Sequence, residues 1–85
     1  MTDAERINEA LNDVVNGGAG RVTALLLMPP NEELQRPALC FRGEDLDALG
    51  ALGLARWEDR EDGRHYALTA FGLKVQAELL EMCDG

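Results

Sequence analysis

Apolar side chains recur at helical spacing near both ends of the chain. One stripe over residues 3–16 consists of Ile7, Ala10, Leu11, Val14 and Val15. Polar side chains cover the opposite face, so this segment is predicted to be an amphipathic helix. Thr2 and Glu5 have the spacing of a capping box at its start. A second helix is predicted over residues 69–83, with the Thr69 hydroxyl as its N-cap.

The middle of the chain changes from helical spacing to alternation. Leu46, Leu49 and Leu52 share one face of a helix predicted over residues 43–52. Gly53 follows, where a helix end favours a residue that accepts positive φ. Residues 54–68 then predict a hairpin with Asp62 and Gly63 as a type I′ turn. Tyr66 and Leu68 alternate on the return strand.

The pattern over residues 21–41 leaves helix and strand open. Val22 and Thr23 favour a strand, whereas the apolar run Ala24 to Met28 suits a buried helix. Pro29 and Pro30 end either element. Asn31 offers an N-cap for one helical turn before Pro37, and residues 38–41 are apolar enough for a short strand.

The order of these signals resembles the second half of a winged helix-turn-helix domain of the MarR or PadR type. The resemblance is carried by Leu46, Leu49, Leu52, Gly53, Leu54, the hairpin 56–66, Leu68, Thr69 and Gly72. It covers mainly residues 44–80 and implies a single domain over residues 1–85. The implied fold is mainly α with a small β-hairpin (α+β): helix 3–16, a recognition-type helix 43–52, a wing 54–68 and a C-terminal helix 69–83. It also favours a helix at residues 21–28.

The charge departs from that family. The 85 residues contain sixteen acidic and eight basic side chains, for a net charge of −8. Duplex DNA binders gain affinity by neutralising phosphates with Lys and Arg. Here seven carboxylates occupy the expected reading helix and wing: Glu44, Asp45, Asp47, Glu58, Asp59, Glu61 and Asp62. They suit either a solvated face with weak ion pairs or a surface that binds cations.

Two functions follow from these patterns. The first is a small acidic, non-enzymatic module whose carboxylates mimic nucleic acid and bind a basic, nucleic-acid-binding protein. Its size and charge resemble those of small acidic inhibitors, including phage anti-defence proteins. The alternative is a dimeric winged-helix DNA-binding transcriptional regulator. Its phosphate contacts would be Arg42, Arg56, Arg60, Arg64 and His65. A homodimer interface is predicted from the apolar stripes, with Ile7, Leu11, Val14, Leu73 and Leu80.

The sequence lacks the residues that catalytic sites and metal sites need. The chain contains no Ser, and its one His, His65, falls on a hairpin predicted to be exposed. Cys40 and Cys83 form no CxxC pair, so we predict no enzyme, no metal site and no cofactor. No secretory leader pattern or long apolar run is present. A cytoplasmic protein with reduced thiols and no membrane contact is therefore expected, although a disulfide stays open.

Overall fold

The computed structural model describes residues 2–37 and 40–84. Its elements are α1 (Asp3–Asn16), α2 (Ala19–Leu27), α3 (Gly43–Ala51), β1 (Ala55–Arg60), β2 (Gly63–Leu68) and α4 (Ala70–Asp84). Within the described residues the protein therefore has four helices and one two-stranded antiparallel hairpin. The predicted α+β class is confirmed.

Local capping signals locate the helix ends well. The backbone N–H of Glu5 donates to Thr2 Oγ1 over 3.2 Å at the start of α1. At the end of α3, the N–H of Leu54 reaches the carbonyl of Leu49 over 2.9 Å, and that of Gly53 reaches Gly50 over 3.0 Å. This pair of bonds is the Schellman arrangement, and Gly53 supplies its positive φ of 79°.

The ambiguous second segment is a helix. α2 buries Ala24 and Leu25 against the core, so the strand alternative for this part of the chain is wrong. Val22 and Thr23 tolerate the helix because tertiary burial outweighs their modest β preference. Pro29 ends α2, as predicted, because it lacks a backbone N–H.

The segment between α2 and α3 follows a path that the pattern did not predict. Asn31 caps no helix; instead its Oδ1 accepts the N–H of Glu33 over 2.9 Å in a local turn. Gln35 and Tyr66 exchange two backbone hydrogen bonds of 2.9 and 2.8 Å, which adds an isolated antiparallel bridge to β2. Of the strand suggested for residues 38–41, the first two lie outside the described residues, and Cys40 and Phe41 are irregular.

The hairpin turn lies one residue earlier than predicted. Arg60 pairs with Gly63, so the two-residue loop is Glu61-Asp62. A type I′ turn needs positive φ at both loop positions. No residue other than glycine has positive φ in residues 2–37 and 40–84, so the type I′ prediction is wrong. Gly63, with φ of 121°, accommodates the left-handed backbone where β2 begins.

Every helix and the hairpin contribute to one core. Its buried side chains are Ala10, Leu11, Val14, Ala24, Leu25, Met28, Leu46, Leu49, Leu54, Ala55, Tyr66, Leu68, Val75 and Leu79. The expected alternation on β2 is absent, because His65, Tyr66, Ala67 and Leu68 are all buried. Both sides of this strand are therefore covered.

Thr69 joins the hairpin to α4 through two side-chain hydrogen bonds. Its hydroxyl accepts the N–H of Gly72 over 2.9 Å and donates to the carbonyl of Gly53 over 2.6 Å. We expect Thr69→Ala to lower the free energy of unfolding by about 1 to 2 kcal/mol, as for other lost N-caps. Urea denaturation followed by circular dichroism measures this. Thr23→Ala, at an exposed α2 position, is the control, and equal losses in both variants would contradict the capping role.

Candidate interaction surface

The register of the hairpin divides its charged side chains between two faces. Asp59 pairs with Arg64 and Trp57 pairs with Tyr66, so these four side chains share one face of the hairpin. That face lies toward α3, because Arg64 and Trp57 both contact α3 residues, as described next. Glu58, in contrast, pairs with His65 on the opposite face.

Arg64 connects the hairpin to α3. Its Nε donates to Asp59 Oδ1 over 2.8 Å, and its Nη1 lies 3.6 Å from Asp47 Oδ1. The hydrogen bond that Arg64 donates to Asp59 raises the pKa of Arg64 above its usual value. Two carboxylates that lie twelve residues apart in sequence are thereby held at one place.

Trp57 lies beside this ion-pair cluster and remains 43% exposed. The Arg64 guanidinium lies over its ring at 5.4 Å from the centroid, within the range of a cation–π contact. The Tyr66 ring lies 6.3 Å away at 51°. Gly50 of α3 leaves room for the indole, since a Cβ there would overlap the ring. The indole is therefore fixed from several sides and still faces solvent.

Trp57 was not among the interaction residues predicted from the sequence. The signal available was weak: the chain has a single Trp, and it stands next to a run of charged residues that cannot be buried. Only the packing shows that the indole is an exposed aromatic surface rather than a core residue.

The seven predicted acidic residues do not form one continuous face. Asp47 and Asp59 are brought together by Arg64, whereas Glu58 pairs with Arg60 at 3.5 Å on the other face. Asp45 is half-buried and turned toward α2, because a Cβ on Gly20 would lie 2.6 Å from its Oδ2. That position places a carboxylate near the N-terminus of α2, where the helix dipole favours it.

The remaining acids stay at the surface near the ends of their elements. Glu44 lies in the first turn of α3 and 3.8 Å from Arg42. Glu61 and Asp62 form the exposed hairpin loop. Asp62 lies 3.7 Å from His65 Nε2.

All five predicted phosphate-contacting residues already have partners within the protein. Arg42, Arg60 and Arg64 pair with carboxylates, and Arg56 donates to the carbonyl of Glu32 over 2.8 Å. His65 is buried, with only 8% of the residue exposed, so its expected place on an exposed hairpin is wrong. Tyr66, the next residue on β2, forms the backbone bridge to Gln35, so a further chain segment lies beside this part of β2.

The five residues predicted for a dimer interface differ in exposure. Leu11 and Val14 are buried in the core of a single copy. Ile7 and Leu73 are half-buried, and only Leu80 is well exposed. Of the apolar stripe on α1, Ala10, Leu11 and Val14 therefore belong to the core, whereas Val15 is 45% exposed. Cys40 and Cys83 are both exposed and unpaired, so the disulfide that the sequence left open is absent between these two residues.

Residues 2–37 and 40–84 contain no group of three side chains that could together bind a metal ion. The helices of this part of the chain are all too short or too polar to cross a bilayer. Shallow clefts are present, such as one of about 210 Å³ between α1 and the start of α4, lined by Arg6, Glu9, Asp13, Leu52 and Phe71.

Comparison with protein-family models, with curated proteins and with solved structures found no match to this chain.

Proposed function

We propose that this protein is a non-enzymatic binding module that presents a carboxylate-rich surface to a basic, nucleic-acid-binding protein. The observation that carries the proposal is that each of the four arginines predicted to contact DNA phosphates has a partner within the protein. Arg64 is shared by Asp47 and Asp59, while Arg42, Arg56 and Arg60 each have a partner of their own.

The charges of this surface oppose a polyanionic partner and favour a polycationic one. To contact DNA, each arginine would have to leave its partner while the nearby carboxylates repelled the phosphates. Each surface ion pair contributes little energy. The net charge of −8 on the whole chain, in contrast, produces a strong attraction for a cationic partner. Attraction of a cationic partner acts over about 8 Å at physiological salt and also speeds association.

The proposal includes a winged-helix-like arrangement as its scaffold. Support comes from the order of α3, the Gly53 turn, the hairpin and α4, and from the Gln35 bridge that adds a third chain segment beside β2. The long connection between α2 and α3, without a helix in its described residues, departs from the usual scaffold helix. A scaffold without that helix has less surface for docking on a duplex, which agrees with a protein partner.

The proposal predicts a protein partner and no DNA complex. Immobilised protein should retain basic nucleic-acid-binding proteins from a cell lysate. Added duplex DNA should release them, because DNA and this protein would compete for the same nucleic-acid-binding groove of the partner. Neutralising two exposed α3 carboxylates, in Glu44→Gln with Asp47→Asn, should weaken retention strongly. The matched control, Glu78→Gln with Glu81→Gln, changes the net charge equally on α4 and should retain the partner.

A gel shift on duplex DNA at low and physiological salt tests the alternative function, that of a winged-helix DNA-binding regulator. If the protein shifts DNA, and Arg60→Ala and Arg64→Ala weaken the shift and reduce its salt dependence, the protein is a DNA reader and the proposal is wrong. Retention of no basic protein, or equal loss in the α3 and α4 variants, also contradicts it.

A further inference from the structure

We infer that Trp57, with Asp47 and Asp59, forms the anchor at which an arginine side chain of the basic partner docks. The inference rests on the proposed function and adds to it the position and chemistry of the contact. It concerns one place on the α3-facing side of the hairpin, rather than the acidic charge of the molecule as a whole.

The cluster of Asp47, Asp59 and Arg64 has a net negative charge. Asp47 and Asp59 carry two negative charges, and Arg64 supplies one positive charge between them. Its contacts use Oδ1 of both carboxylates, and among the described residues no hydrogen-bond donor reaches Oδ2 of either. Their side chains are 59% and 73% exposed. A second guanidinium can therefore join the cluster without displacing Arg64, and its fork of donors suits two carboxylates.

The exposed indole of Trp57 lies beside that charge. Aromatic residues in well-packed positions, surrounded by polar side chains, provide much of the binding energy in protein interfaces. Trp57 meets this description: its ring is held by Arg64, Tyr66 and Gly50, and 43% of the residue is exposed. Because the ring is already ordered, the Trp57 side chain loses little conformational entropy when a partner covers it.

An arginine side chain matches this surface. Its methylene stem packs on apolar surface while the guanidinium remains available for carboxylates. On this surface the stem would cover the exposed part of the indole, and the head would reach the unused oxygens of Asp47 and Asp59. Glu58 cannot take part, because it lies on the opposite face of the hairpin and pairs with Arg60.

A labelled oligoarginine peptide tests this anchor at physiological salt, with fluorescence anisotropy as the measure of affinity. Asp47→Asn with Asp59→Asn keeps the side-chain shapes and should weaken binding about tenfold or more, the equivalent of a lost charged contact. Glu78→Gln with Glu81→Gln removes the same net charge and should have a much smaller effect. Trp57→Ala should also weaken binding, with its fold verified by circular dichroism.

The wild-type protein provides a measurement that needs no variant. Trp57 is the only Trp, so its emission reports on this place alone, and saturable binding should change it. If the peptide binds but the emission is unchanged, the anchor is wrong, while the proposed function still stands on the retention of a basic protein by the α3 carboxylates. If the two double variants weaken binding equally, diffuse charge explains the affinity, and the anchor and the carboxylate-rich surface of the proposed function are both wrong. If the wild-type protein does not bind the peptide at all, the proposed function fails together with the anchor.

Discussion

Replacement of Gly72 by alanine should lower the free energy of unfolding by roughly 2 to 3 kcal/mol, even though alanine is the better helix former. Gly72 lies in the first turn of α4, where its Cα faces the backbone of Leu54. A Cβ there would overlap the carbonyl oxygen of Leu54. That oxygen also accepts the N–H of Thr69 over 3.0 Å, so it cannot move without loss of a hydrogen bond.

Gly43→Ala is the matched control for this prediction. Gly43 is also in the first turn of a helix, and a Cβ there meets nothing within 4 Å. Urea denaturation followed by far-ultraviolet circular dichroism should show an unchanged or slightly raised midpoint for Gly43→Ala and a marked fall for Gly72→Ala. A Gly72→Ala variant as stable as the wild type would show that α4 does not pack this closely on Leu54.

Replacement of Gln76 by methionine should cost about 2 to 4 kcal/mol, because two buried carbonyls lose their donor. Gln76 is buried on α4, and its Nε2 donates to Leu25 over 2.9 Å and to Met28 over 2.8 Å. A continuing helix would supply the carbonyl of Leu25 with the N–H of residue 29, but Pro29 has none. Gln76 therefore completes the end of α2 from another helix. Methionine has a similar volume and no donor, so it isolates the hydrogen bonds from the packing.

Two further variants distinguish this role from simple packing. Gln35→Met makes the same change at an exposed position and should alter stability by less than about 0.5 kcal/mol. Gln76→Glu places a carboxylate against two carbonyls and should be the least stable variant at neutral pH. Its disadvantage relative to Gln76→Met should shrink as the pH falls, because a protonated carboxyl can donate. Equal stability of the Gln76→Met and wild-type proteins would contradict the capping role.

The residues of the candidate surface were only partly predictable from sequence. Asp47, Asp59 and Arg64 were all identified as charged residues on the helix and the hairpin, but in opposing hypotheses about function. The structure places them in one cluster, because Asp59 and Arg64 are cross-strand partners and α3 packs beside them. The turn was predicted one residue too late. Because such a shift changes which residues pair across the hairpin, the charge pattern alone did not show which charged side chains share a face.

Local signals in the sequence determined the ends and types of three helices. The bonds that Thr2 and Thr69 accept from Glu5 and Gly72, and the backbone bonds around Gly53, join residues only a few positions apart, so these local contributions do not depend on the rest of the fold. The second bond of Thr69, to the carbonyl of Gly53, joins distant segments. The tertiary structure alone decided that His65 is buried and that Leu11 and Val14 belong to the core. It resolved the second segment as a helix, which the resemblance favoured and the residue pattern left open. It also decided which carboxylates meet Arg64 beside Trp57. Each of these outcomes depends on contacts between distant segments, whose register and packing no local pattern specifies.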